Sequence, residues 1–204
     1  MLTIISIIIG YLLGSVPFAL VIGKVFYKTD VRQFGSGNLG GTNTGRVLGK
    51  KAGMAVIVCD ILKVVLACGI ASIFGQIACI WTGLACCIGH CFPIFAHFKG
   101  GKAVSTVFGF LLAISIFLFH NILYFILPLF MFLIVLYLFK FVSLASMCGI
   151  LFSSLYITGT YFSLDATNLF VILASWIMTI LVIYRHWANV GRIKDGTESK
   201  ITWM

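Results

Sequence analysis

Val104–Phe139 reads VSTVFGFLLAISIFLFHNILYFILPLFMFLIVLYLF and contains no Lys, Arg, Asp or Glu. A helix needs about 20 apolar residues to cross the hydrocarbon of a bilayer. This run holds two such helices, divided at the polar pair His120–Asn121. A membrane β-barrel would instead alternate apolar and polar residues over segments of about ten. The apolar runs here are continuous and longer, so they read as helices.

The rest of the chain extends the same pattern. Of its 204 residues, 61% are hydrophobic and 9% charged, with a mean hydropathy of +1.15. A soluble domain usually carries about 25% charge, so a water-facing globule, a disordered chain and a disulfide-rich secreted module are all excluded. Hydropathy predicts seven transmembrane helices near 2–26, 52–74, 76–95, 103–119, 121–139, 141–162 and 166–185, in a single domain over 1–204. Met1–Thr3 carries no positive charge and no small-residue cleavage site follows, so the first span reads as an anchor. Of 14 Lys and Arg, all but Lys63 fall at alternate span ends, and the loops at 75–76, 120–121 and 163–165 have none. The positive-inside rule then puts the N-terminus outside and the C-terminus in the cytoplasm. This all-α polytopic reading gives the basic excess an orienting role and calls for no nucleic-acid partner.

Polar residues are costly near a bilayer, and here they gather at the cytoplasmic ends. Gly35–Arg46, GSGNLGGTNTGR, is glycine-dense. Glycines such as Gly37 let the backbone approach a ligand and turn N–H groups toward it. Ser36, Asn38, Thr42 and Asn43 add neutral hydrogen bonders, and Arg46 adds a fork suited to phosphate. The run also fits G-x-G-x-x-G at 35–40, but that fingerprint requires a βαβ unit, which membrane helices cannot supply. A second run, Lys99-Gly100-Gly101-Lys102, opens the span at 103 and is followed by Ser105 and Thr106. Both loops lead toward helix starts, where free N–H groups favour anions.

Asp60 and Lys63 lie inside the second span at a spacing that allows pairing. Lys63 is read either as half of a buried ion pair or as the wall of a polar cavity. Beyond the last span, His186, Asn189 and Arg192 share one helical stripe, and Ser143 and Ser146 lie one turn apart on the same membrane side. Cys87, His90 and Cys91 share a helical face, but no fourth zinc ligand accompanies them, and packing is the reading for all seven cysteines. His90, His97 and His120 read as single histidines without a role, and Pro17 as a kink.

Two anion-binding helix starts at a hydrocarbon edge suggest a phosphorylated small molecule meeting a lipid chain. Carboxylates are too scattered to hold Mg²⁺, so neither metal nor cofactor is expected. No G-x-S-x-G and no His-x₄-Asp occurs, which argues against a serine acyl-enzyme and against the acyl-CoA-dependent acyltransferases. A transporter or exporter of an anionic phosphorylated metabolite is the competing class. Such proteins bind at the midplane between repeated halves, and neither feature is visible here.

The run at 35–46, D-x-x-K at 60–63, GHCFPIFAHFKGGKAVST at 89–106 and RHWANVGRIKDGTESK at 185–200 resembles the bacterial integral-membrane acyl-phosphate:glycerol-3-phosphate acyltransferases. The likeness spans essentially the whole chain, with Ala103 departing from a family Gly. The resemblance implies acyl transfer from acyl phosphate to the sn-1 hydroxyl of glycerol 3-phosphate, the first step of phospholipid synthesis in the bacterial cell membrane. It gives catalytic standing to Ser36, Arg46, Lys102, His186 and Asn189, with the 99–102 loop completing the site. It implies a structural part for Glu198, and a soluble phosphate:acyl-carrier-protein acyltransferase as supplier of the donor. Direct attack needs no acyl-enzyme. The hydroxyl proton goes either to His186 or to a substrate phosphate.

Overall fold

The computed structural model describes residues 1–161 and 165–201, whose regular structure is all helix with no strand. In chain order the helices are α1 (Leu2–Gly14), α2 (Phe18–Tyr27), α3 (Gly41–Leu48), α4 (Lys50–Ser72), α5 (Gln76–Cys91), α6 (Val104–Phe117), α7 (Leu123–Phe139), α8 (Val142–Tyr161), α9 (Ala166–Arg185) and α10 (Trp187–Lys194). Five stretches are long and apolar enough to cross a membrane: Leu2–Tyr27, Lys50–Ser72, Gln76–Ala96, Val142–Thr160 and Thr167–Arg185. The helices at Val104–Phe117 and Leu123–Phe139 are apolar but shorter. All seven expected segments are thus helical, five of them at full spanning length; Ser163 and Leu164 of the expected 163–165 loop lie outside the described residues.

The first span is two helices. Pro17 has no N–H to give and biases Val16 away from helical geometry, so α1 ends at Gly14 and α2 starts at Phe18. The break leaves the Val16 carbonyl free to accept a bond from elsewhere. Close packing of α1 on α5 depends on absent side chains: a Cβ on Gly14 would lie 2.1 Å from Cys86 O, and one on Gly89 2.3 Å from Tyr11 O.

The helix α3 is a structural addition, since the sequence pattern read Gly35–Arg46 as a loop. Gly49, at φ 95°, ends it and turns the chain into α4. It lies flat against α4, where a Cβ on Gly53 would come within 2.7 Å of Gly41 O.

Val64, Cys68, Ile80, Phe110, Leu111, Ile114, Ile150 and Met178 form the centre of the core, drawn from α4, α5, α6, α8 and α9. Ser154 and Thr179 share a 2.7 Å hydrogen bond between α8 and α9. Large apolar side chains also cover the outside, among them Ile8, Leu62, Leu66, Tyr137 and Ile180. Such a surface suits lipid tails as solvent.

Candidate active site

The two glycine-rich loops, the start of α8 and the segment after α9 meet around a cavity of about 260 Å³. Its polar end carries Ser36, Arg46, Lys102, His186, Asn189 and Arg192. At the other end are Ile57 and Ile61 of α4 and an aromatic cluster in which Phe108 meets Phe125 and Phe132 edge to face, at 6.3 and 5.9 Å. A charged head and an apolar tail therefore fit in one cavity.

Asn43 builds the first loop. Its Oδ1 accepts the Ser36 N–H at 2.8 Å and the Ser36 hydroxyl at 3.2 Å, while its Nδ2 donates to Val31 O at 3.0 Å and Phe34 O at 3.3 Å. Its side-chain amide is thereby spent on the chain, so Asn43 shapes the loop with its side chain while still lining the cavity. Beyond it the first turn of α3, Gly41 to Asn43, faces the cavity, and these amides have no intrahelical acceptor. Asn38 and Thr42 stand on the same wall. Arg46 is exposed to the cavity and makes no hydrogen bond or ion pair among the described residues.

The second loop differs from the cradle of free amides expected of it. Gly101 N–H donates to His90 O at 3.0 Å, and the carbonyls of Gly100 and Gly101 accept from Arg185. Both glycines are needed because the loop lies directly on His90: a Cβ on Gly101 would sit 2.0 Å from His90 Nε2. Lys99 is exposed and, like Gly37, Gly100 and Gly101, is off the cavity wall. Lys102 reaches the wall through the turn at Ala103, which takes φ 61°. Burial lowers the Lys102 pKa to about 8; Glu198 opposes this, and Arg192, Arg185 and Arg46 add to it.

The third cluster is organised by Glu198. Its Oε1 accepts from Asn189 Nδ2 at 2.6 Å and from Ser143 Oγ at 2.7 Å, and its Oε2 from Arg192 Nε at 2.8 Å. Burial raises the carboxyl pKa, but these bonds outweigh it and hold the group below its ordinary value. Asn189 in turn accepts from Lys102 Nζ. Ser146 donates to Val142 O at 2.7 Å, which leaves its oxygen on the wall as an acceptor.

His186 caps the end of α9, with Nδ1 2.8 Å from Val182 O. A carbonyl only accepts, so Nδ1 carries the hydrogen and Nε2 a lone pair. Burial, aided by Lys102 and Arg185, pushes the imidazole down to about 4, so the ring is neutral near pH 7.

Lys63, read as a cavity wall or an ion pair, is the latter. Its Nζ lies 2.7 Å from Asp60 Oδ1, 3.1 Å from Val16 O and 3.1 Å from His90 Nδ1, behind the wall. His90 itself is on the wall. The sequence reading left it as a single histidine because Lys63 is 27 positions away. Arg185, at the end of α9, is the clamp of the second loop.

A family model described as glycerol-3-phosphate acyltransferase matches residues 4–196. The chain belongs to this family. Like its relatives it is an acyltransferase, which removes the transporter reading. A glycerol-3-phosphate acyltransferase of Bacillus cereus (strain G9842) is 45% identical over 201 residues, covering 97% of this chain and 94% of that one. The fold resembles the crystal structure of PlsY (YgiH), an integral membrane glycerol 3-phosphate acyltransferase, in its glycerol 3-phosphate form. That likeness has a TM-score of 0.88 and 33% identity, and covers 98% of this chain and 96% of the other. The lysophosphatidic acid form of the same acyltransferase matches with a TM-score of 0.85, at 33% identity and with 98% and 95% coverage.

Proposed function

We propose that this acyltransferase moves an acyl chain from acyl phosphate to the sn-1 hydroxyl of glycerol 3-phosphate. The products are 1-acyl-glycerol 3-phosphate and inorganic phosphate, as in the first step of bacterial phospholipid synthesis. The observation that carries this reading is the single cavity with Arg46, Lys102 and Arg192 at one end and Phe108, Phe125 and Phe132 at the other. Relatives solved with glycerol 3-phosphate and with lysophosphatidic acid support the acceptor and the product.

The acceptor oxygen attacks the acyl carbonyl carbon, the new C–O bond forms, and the bond to the phosphate oxygen breaks with its electrons leaving on phosphate. Arg46, Lys102 and the first-turn amides of α3 screen the two phosphates so that hydroxyl and carbonyl can approach. His186 Nε2 receives the hydroxyl hydrogen bond and orients the attack, and the proton ends on the departing phosphate. Direct attack is favoured because three of the four serines that line the cavity are held by groups that are poor bases. Ser36 pairs with an amide oxygen, Ser146 with a carbonyl, and Ser143 with a carboxylate whose proton affinity is lowered.

In this reading α6 and α7 also cross the bilayer, giving seven spans in the cytoplasmic membrane with the N-terminus outside and the site facing the cytoplasm. The one-sided placement of cations supports it. A soluble acyltransferase that cleaves the thioester of acyl-loaded acyl carrier protein with phosphate, releasing the thiol and acyl phosphate, is the matching source of donor.

The test is formation of 1-acyl-glycerol 3-phosphate by purified protein given glycerol 3-phosphate with acyl phosphate, acyl-CoA or acyl-loaded acyl carrier protein, each in chelator. Turnover with acyl phosphate alone is expected. Turnover with a thioester, or activity lost in chelator and restored by Mg²⁺, overturns the donor or the metal-free mechanism. Labelling of a cysteine placed at position 44 or 200 by an impermeant outside reagent, on a background without native cysteines, overturns the orientation.

A further inference from the structure

Among the described residues four serines line the cavity, and three of them are engaged: Ser36 with Asn43, Ser143 with Glu198 and Ser146 with Val142 O. Ser105 is the fourth. Its neighbour Thr106 is fully buried and donates to Ala103 O at 2.9 Å, whereas the Ser105 hydroxyl bonds to none of the described residues. The polar side-chain atoms that are unbonded and sealed off are those of Ser15 and Asp60. Ser105 Oγ is therefore unbonded yet open, on a half-buried residue of the cavity wall.

Its place along the wall narrows what it can touch. The turn at Ala103 separates it from Lys102, on the phosphate side. On the tail side Phe108 follows it by three positions, so the two share a face of α6, and both line the cavity. The hydroxyl thus stands at the boundary between the charged and the apolar ends. In an acyl phosphate that boundary is the carbonyl, with phosphate on one side and the alkyl chain on the other. A neutral hydroxyl suits a neutral carbonyl oxygen, while the phosphates have Arg46, Lys102 and Arg192.

We propose that Ser105 is a further catalytic residue, whose Oγ–H donates to the carbonyl oxygen of the acyl group and stabilises the negative charge that gathers there. As the acceptor oxygen bonds to the carbonyl carbon, the C=O π pair moves onto that oxygen. It returns as the bond to the phosphate oxygen breaks, and Ser105 keeps its own proton throughout. The first turn of α6, where the hydroxyl stands, is a helix end that favours developing negative charge. The proposal rests on the reading of this cavity as the site of acyl transfer, and it needs only the carbonyl that every acyl donor carries.

Ser105→Ala removes the hydroxyl and breaks no bond within the described chain, so abundance and melting temperature should match those of the wild type. Loss of a preorganised oxyanion donor costs ~10²–10³ in kcat, and a hydroxyl free to rotate should cost about tenfold, with KM for glycerol 3-phosphate unchanged. An unchanged kcat overturns the proposal. Two unreactive inhibitors of equal chain length give a readout that a packing role would not move. One is a 2-oxoalkylphosphonate, which keeps the carbonyl and replaces the bridging oxygen by CH₂; the other is an alkylphosphonate without the carbonyl. Ser105→Ala should weaken the first severalfold and leave the second as it was. Equal effects on the two overturn the carbonyl contact, and an acyl group recovered on Ser105 by mass spectrometry would make it a nucleophile instead. Running the kinetics with acyl phosphate and with acyl-CoA separates two failures. A wild type that uses only the thioester overturns the donor reading, while the ratio of kcat between the two proteins, with the donor that works, still decides Ser105.

Discussion

Arg185 Nε donates to the carbonyl of Gly101 at 3.0 Å, and the same guanidinium donates through Nη2 to Gly100 O at 3.0 Å. The end of α9 thereby holds the loop that delivers Lys102, and Phe92 stacks under the cation at 5.6 Å. Arg185→Lys keeps the charge and can satisfy one carbonyl only. Bonds to charged groups contribute ~1.5–3 kcal/mol each, so kcat/KM should fall on the order of tenfold. Steady-state kinetics with a membrane-abundance control measure this. An unchanged kcat/KM would reduce the clamp to a membrane anchor.

Of the lysines and arginines that line the cavity, Arg46 has no side-chain partner among the described residues, unlike Lys102 and Arg192, which leaves its fork available to a phosphate. Arg46→Lys should lower kcat/KM by ~10-fold or more, equivalent to about 1.4 kcal/mol. Retention of full activity at normal abundance would pass the phosphate contact to Lys102.

Lys102 brings a pH dependence of definite sign. Its pKa is lowered to about 8, so the ammonium loses its proton as pH rises through that value, and KM for glycerol 3-phosphate should climb on the alkaline side. Glu198 is the main charge that opposes the shift. Glu198→Gln keeps the shape of the acceptor but removes its charge, so the alkaline limb should move to lower pH. Lys102→Arg should remove the limb altogether. A limb in the same place in all three proteins would assign it to another group.

Ala103 is wholly buried at φ 61°, a left-handed conformation that a Cβ opposes by roughly 1–2 kcal/mol. Ala103→Gly should relieve that strain and, after the entropy that glycine adds to the unfolded chain, raise the melting temperature by a few degrees. Thermal unfolding in detergent decides it; a lower melting temperature would mean that the methyl group's packing outweighs the strain.

His186→Ala should lower kcat with KM for glycerol 3-phosphate little changed, since a neutral Nε2 acceptor acts on the attacking hydroxyl and carries no charge for the phosphate. A pure KM effect would move His186 from orienting the hydroxyl to binding the head group.

The long apolar helices were legible because a lipid-facing surface writes itself as uninterrupted hydrophobic sequence. The helix α3 was not. Gly41-Thr42-Asn43-Thr44-Gly45 has poor helix propensity, and it is helical because Gly41, Gly45 and Gly53 let two backbones approach, which no one-dimensional pattern records. Lys102 and His186 stood out in short motifs, and both line the cavity. Glu198 looked scattered because Ser143 is 55 positions away from it, and His90 looked solitary for the same reason. Lys99 and Lys102 are indistinguishable as neighbours in a basic run, and only the turn at Ala103 sends one to the cavity and the other to the surface.

The interruption at Ser15–Pro17 bears on the order in which the chain is made. Asp60 and Lys63 emerge from the ribosome after Val16 and before His90. A charge arriving at the bilayer centre costs ~2.5–3.5 kcal/mol, and the imidazole that later shares Lys63 has not yet been synthesised. The unbonded carbonyl of Val16, 3.1 Å from the lysine in the finished protein, already exists in the preceding segment. An unbroken first helix would have spent that carbonyl on its own hydrogen-bond ladder, so the break keeps it available to the lysine.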